Sequence, residues 1–145
     1  MSSASKSKIS FIVLGKAIPQ GQPRACRIGR GIRMYTPKNT EQWRSDIRAV
    51  AQEAVRKRGW QITDNPVHLV LRFQFIRPPS YPKKNPKSEF PYKRPDLDNF
   101  IKAVKDALSG IVWTDDARIV SLSAAKEWGQ VNQAKIIVED QIIIG

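Results

Sequence analysis

From Val67 to Ile76 apolar side chains recur at every second position. Val67, Leu69, Leu71, Phe73 and Phe75 fall on one face of an extended strand, and Arg72 and Gln74 on the other. A strand with one dry face needs a sheet beside it and a layer over it, and the rest of the chain supplies both. Ile9 to Gly15 is apolar but for Ser10 and reads as a buried strand. Glu41 to Arg58 has Trp43, Ile47, Val50, Ala51, Ala54 and Val55 at helical spacing, with Thr40 as a plausible N-cap and Arg56-Lys57-Arg58 at the negative end. Asp98 to Ser109 repeats that period through Phe100, Ile101, Val104, Ala107 and Leu108, and Gly110 stops it. Arg118 to Lys126 and Ala134 to Ile144 read as two further strands, with a turn over Gly129 to Gln133. The order β-α-β-α-β-β predicts an α/β (α+β) fold, a small mixed sheet with two main helices. Residues 1–8 read as a flexible terminus and 9–145 as one domain, for there is neither an internal repeat nor a dividing linker. A length of 145 residues suits one core.

The inventory narrows the chemistry. The longest apolar run, Phe11-Ile12-Val13-Leu14, is far too short for a membrane helix or a signal-peptide core. One cysteine, Cys26, forbids an intrachain disulfide and fits a reducing cytoplasm. One histidine, His68, sits among strand residues, so a Cys/His zinc site lacks ligands and a histidine-based nucleophile would rest on His68 alone. No glycine-rich phosphate loop occurs, so no nucleotide cofactor is expected. Carboxylates remain, alone or holding a hard cation such as magnesium.

Charge is unevenly distributed. The net charge of +12 points to a polyanionic partner, most simply nucleic acid. Residues 1–60 hold thirteen Lys/Arg and three acids, whereas residues 96–145 hold five and eight. Residues 16–40 read as a loop in which Arg24, Arg27, Arg30 and Arg33 recur every third position. Residues 77–95, rich in proline and carrying Lys83, Lys84 and Lys87, read as a mobile surface loop ordered on binding. These seven bases are the expected phosphate contacts. Five acids, Asp96, Asp98, Asp106, Asp115 and Asp116, fall in one window of this basic chain. Two such charges ~4 Å apart repel by about 4 kcal/mol at an effective dielectric of ~20. If they converge, a divalent cation or a nearby lysine should offset that cost. Asp96 and Asp98 project together from an extended segment, and Asp98, Lys102 and Asp106 stack along a helical stripe that has Asn99 beside it. Asp115 or Asp116 could join them to complete an oxygen site. From spacing alone, bland readings stand beside this one. Asp96 or Asp98 is equally a helix cap, Lys102 and Asp106 a surface pair, Asp115-Asp116 a turn, and the four tryptophans core residues.

Residues 94–110, RPDLDNFIKAVKDALSG, followed by Trp113-Thr114-Asp115-Asp116-Ala117-Arg118-Ile119 and Lys126, resemble the RusA family of Holliday junction resolvases. Upstream, Pro19 to Arg24 and Tyr35-Thr36-Pro37 look like that family's N-terminal loop. The resemblance runs from about Ile9 to Val138. It implies a magnesium-dependent homodimer, with one or two cations per site and manganese as a substitute, that cuts four-way or other branched DNA by paired nicks in the bacterial cytoplasm. Carried over, the catalytic acids fall on Asp96, Asp98 and Asp116 and the catalytic lysine on Lys102, with Asp115 a second choice for the third metal ligand. The long segment 77–95 and Gln22, where many relatives carry a base, depart from the pattern. The rival readings are a catalytically silent DNA-binding module and a nuclease for flaps.

Overall fold

The computed structural model describes residues 8–19, 24–28, 31–35, 38–81 and 83–142. A four-stranded mixed sheet forms one layer, in the order β1-β6-β4-β5. It is built from β1 (Lys8–Leu14), β4 (Val67–Ile76), β5 (Ile119–Gly129) and β6 (Gln133–Asp140). The helices α1 (Lys38–Arg58) and α2 (Leu97–Leu108) form the other layer, with α1 packed on α2 and on β1. The expected fold class and element order hold.

β4 lies inside the sheet, antiparallel to β6 on one side and parallel to β5 on the other. A parallel pair needs a crossover, and α2 supplies it between β4 and β5. The alternation read from β4 is the burial pattern observed: Val67, Leu69, Leu71 and Phe73 are fully buried and Phe75 nearly so. β1 and β6 alternate in the same way, placing Ile9, Phe11, Val13, Ala134, Ile136 and Val138 on the helix-covered face. α2 answers with Phe100, Val104 and Leu108, and the Phe100 ring lies 5.2 Å from Phe73 and 5.5 Å from Phe75. Burying each such side chain contributes about 1.5–3 kcal/mol, more than helix propensity adds over so short a helix. Gly110, at φ +87°, takes the left-handed conformation that ends α2 without Cβ strain.

Four expectations need correction. Residues 16–40 are not all loop: β2 (Arg24–Ile28) and β3 (Gly31–Tyr35) pair as an antiparallel ribbon. Its residues alternate polar and apolar too irregularly to show a strand period. α1 begins at Lys38, so Thr40 lies inside its first turn, where its amide donates to Asn39 Oδ1. β5 runs on to Gly129, and β6 ends at Asp140 instead of Ile144. Asp140 caps that end, accepting from Thr63 Oγ1 (2.9 Å), Asn65 Nδ2 and the Ile142 amide. Residues 77–95 carry folded structure. A short 3-10 turn over Pro86–Glu89 buries Ser88, whose carbonyl accepts from Trp128 Nε1 at 2.9 Å. Tyr81 packs edge-on against Trp128 and Tyr92, and Lys93 Nζ sits 4.8 Å from the Tyr81 ring centroid. Proline density and charge mimic a disordered segment, but these aromatic contacts tie it to the sheet. The flexible terminus expected at residues 1–8 lies, but for Lys8, outside the described residues, as does Arg30.

Candidate active site

The Asp-Leu-Asp-Asn segment builds the entrance to α2. Asp96 is its N-cap residue, with extended backbone, and its carbonyl accepts from the Asn99 amide at 3.1 Å. Its carboxylate makes no capping hydrogen bond and is exposed. Asp98 lies in the first turn, also exposed, where the positive end of the helix dipole favours an anion. The cap reading is thus half right: Asp96 holds the cap position yet leaves its carboxylate free for something else. Lys102 follows one turn after Asp98 and is exposed. Asp106, one turn further, faces Arg44 of α1, with Nη1 to Oδ2 3.7 Å.

The backbone leading into Asp96 is clamped from β5. Lys126 Nζ donates to the carbonyls of Lys93 (2.9 Å) and Pro95 (2.8 Å). Lys126 pairs in register with the buried Phe73, so it sits on the helix-covered side of the sheet. Burial lowers its pKa, and the negative charge of Asp96 works in the opposite sense. Sequence reasoning gave Lys126 no role, although a signal was there. In Leu122, Ala124, Lys126, Trp128 the lysine occupies an inward position of a period-two strand.

The second acidic unit is a tightly held turn. Trp113 is fully buried, and its Nε1 donates to Asp116 Oδ1 at 2.9 Å. Asp115 Oδ1 accepts from the Ala117 amide at 3.0 Å and caps the 3-10 turn Asp116–Arg118. Asp64 fixes the turn from outside, accepting from Thr114 Oγ1 (2.6 Å) and Arg118 Nε (2.8 Å). The Thr114 hydroxyl, then the Arg118 guanidinium, hold its pKa below the usual carboxylate range.

Asp96 at the N-cap, Asp98 in the first turn and Lys102 one turn later stand along α2, and Asp115 and Asp116 lie in the turn that precedes β5. Among the described residues there is no group of three or more His, Cys, Asp or Glu side chains placed to hold a metal ion. The donor chemistry at α2 still suits magnesium, which takes one or two carboxylates, keeps waters and adds substrate phosphate oxygens. Of the expected phosphate contacts, Lys83, Lys84 and Lys87 are exposed on the folded 77–95 segment. Arg24, Arg27 and Arg33 lie on the β2–β3 ribbon, with Cys26 opposite Arg33 in register. No helix among the described residues is long and apolar enough to cross a membrane. His68, on β4, contacts Ser121 Oγ, a satisfied strand residue as its neighbours suggested.

Residues 15–139 match the family model described as Endodeoxyribonuclease RusA. The chain is also 27% identical over 139 residues to "Uncharacterized protein YqaN" of Bacillus subtilis (strain 168), a match covering 91% of this chain and 96% of that protein.

Proposed function

The chain belongs to the RusA endodeoxyribonuclease family, and from that premise we propose that it is a magnesium-dependent nuclease that resolves four-way DNA junctions by paired nicks. The observation that carries this reading is the placement of two exposed carboxylates, Asp96 and Asp98, with Lys102 one turn along, at the N-terminus of α2 in a chain of net charge +12. A purely DNA-binding surface gains nothing from acids that repel phosphate.

In this proposal Asp96 and Asp98 hold the cation, and Lys102 faces the phosphate and offsets charge that develops on its oxygens. A bound magnesium would supply Lewis-acid stabilisation and a more acidic water. Water oxygen bonds to phosphorus, one phosphorus–oxygen bond to the sugar breaks, and the departing oxygen takes up a proton. Asp116, anchored by Trp113, is assigned to the same chemistry, with Asp115 capping beside it. Arg24, Arg27, Arg30, Arg33, Lys83, Lys84 and Lys87 contact phosphates along the arms. A junction presents two symmetry-related phosphates, and a two-fold dimer presents two sites. We assign the dimer contact to β5, which lies at the sheet edge and exposes Val120 and Leu122. Acting on chromosomal or phage DNA, the enzyme works in the cytoplasm.

One observation favours the silent-binder alternative, namely the lack of a three-carboxylate group among the described residues. Cleavage of synthetic junction, flap and plain duplex, in magnesium and in EDTA, decides. Paired nicks in the junction, lost in EDTA, are expected. Binding without nicking in any cation would establish the silent module, and preferential flap cutting would move the substrate to other branched DNA.

A further inference from the structure

Against Arg94 and Pro95, the two residues before Asp96, lies a cavity of about 180 Å³ that the chemistry described above does not use. Its walls are Phe75, Tyr81, Phe100, Trp128 and three proline rings. Four cations, Lys16, Lys93, Arg94 and Lys126, line it, and no carboxylate does. The rings are held in place. Tyr81 stands at 85° to Trp128 with centroids 4.8 Å apart, and Trp128 is tied to the Ser88 carbonyl. Such preorganisation lowers the ordering cost of taking up a ligand. Lys126 has three N–H donors and spends two on the Lys93 and Pro95 carbonyls, leaving one over.

A ligand for this cavity is flat and apolar on its faces, bears acceptors on its edge and carries negative charge outside. We infer that the cavity holds an unstacked nucleobase of the bound DNA, an inference that rests on the nuclease reading above. Pro95, in its wall, is next in sequence to Asp96, so the base belongs to a nucleotide flanking the phosphate at the acids. Withdrawing a base from its stack costs least where it is already unpaired or mispaired. The cavity therefore favours a branch point over continuous duplex without reading much sequence, since every base offers a π-face.

The test is a coupling measurement. In EDTA, where cutting is blocked, the affinity of the full chain is measured for synthetic four-way junctions in which each crossover nucleotide in turn is made abasic. For the unmodified protein, one position should cost roughly tenfold or more in affinity, the size of one base–aromatic stack. Ile76→Trp fills the cavity from its rim, where Ile76 is half exposed, and Lys16→Glu puts a carboxylate into a lining that has none. Both variants should bind the intact junction more weakly and lose the abasic penalty. Circular dichroism and melting confirm that each is folded. If no abasic position costs affinity, or if the penalty is equal in all three proteins, the cavity assignment falls. Competition by free mononucleotides at the same cavity, with no abasic penalty, would also overturn it in favour of a nucleotide site. Nicking in magnesium is scored separately. A protein that nicks junctions without the penalty keeps the nuclease reading and loses the cavity; one that shows the penalty but never nicks does the reverse.

Discussion

Asp98 and Asp116 can both be probed by substitution, but the structure gives them different dependants. Among the described residues Asp98 supports no hydrogen bond that the fold needs, so Asp98→Asn removes one charge and the proposed magnesium ligand while keeping shape and first-turn compatibility. Nicking should fall by at least a hundredfold, about 2.7 kcal/mol, while junction affinity in calcium is kept or rises. A folded variant that nicks at the unmodified rate would leave Asp98 out of the metal site. Asp116 accepts from the buried Trp113 indole. Asp116→Asn retains an acceptor and should melt at or above the unmodified protein without metal. Asp116→Ala strands the indole N–H and should lose about 1–3 kcal/mol; equal melting of the two variants would remove that bond from the stability account. Lys126 gives a pH signature. Burial lowers its folded pKa, so the folded protein holds that proton less tightly than the unfolded chain does. Stability should therefore rise with pH between the lowered value and the ordinary lysine value. Lys126→Met should flatten that rise in melts across alkaline pH and, by freeing the Asp96 approach, lower kcat more than junction affinity. At this scale the sequence showed which carboxylates cluster along the chain. The turn reading of Asp115-Asp116 holds, with Ala117 and Trp113 as near-sequence partners; what spacing concealed is Asp64, some fifty residues away, which fixes that turn through Thr114 and Arg118.

Elements with a strict period were legible and elements without one were not. β4 and α2 were plain because one face of each is dry, and burial imposes the period on the sequence. The β2–β3 ribbon stayed hidden because arginines and glycines break its alternation. The 77–95 segment misled because its order comes from Tyr81, Tyr92 and Trp128, residues far apart in sequence that meet at the edge of the sheet. That order bears on DNA binding. Lys83, Lys84 and Lys87 stand on a formed platform, so little ordering entropy is spent when they meet phosphate. Replacing Lys83 and Lys84 by Ala should flatten the dependence of log affinity on log salt by up to roughly 0.9 for each duplex-arm phosphate that is no longer neutralised, and should leave any sequence preference in place. An unchanged slope in anisotropy titrations would take this platform off the DNA.

Among the described residues the molecule is two layers, helices on one face of the sheet, and β5 closes one edge with an uncharged run from Ile119 to Ala125. Neither the sheet order nor that edge could be read from the chain, since pairing partners leave no periodic mark. A run of this kind, without Lys or Pro from Ile119 to Ala125, invites a second strand. The double variant Val120→Lys, Leu122→Lys should sediment as a monomer with its melting little changed, while a variant that still sediments as a dimer would place the contact elsewhere. The sheet order also governs how the chain assembles as it is made. Among the described residues β1 hydrogen-bonds to β6 and to no other strand, so it has no partner in the sheet until β6 follows it from the ribosome. Over a hundred residues must be synthesised in between. For that interval Ile9, Phe11 and Val13 have α1 to pack on but no neighbouring strand, and closing so distant a contact slows folding. A nascent chain stalled before Gln133 would hold its helices and the β4–β5 pair, with β1 still waiting.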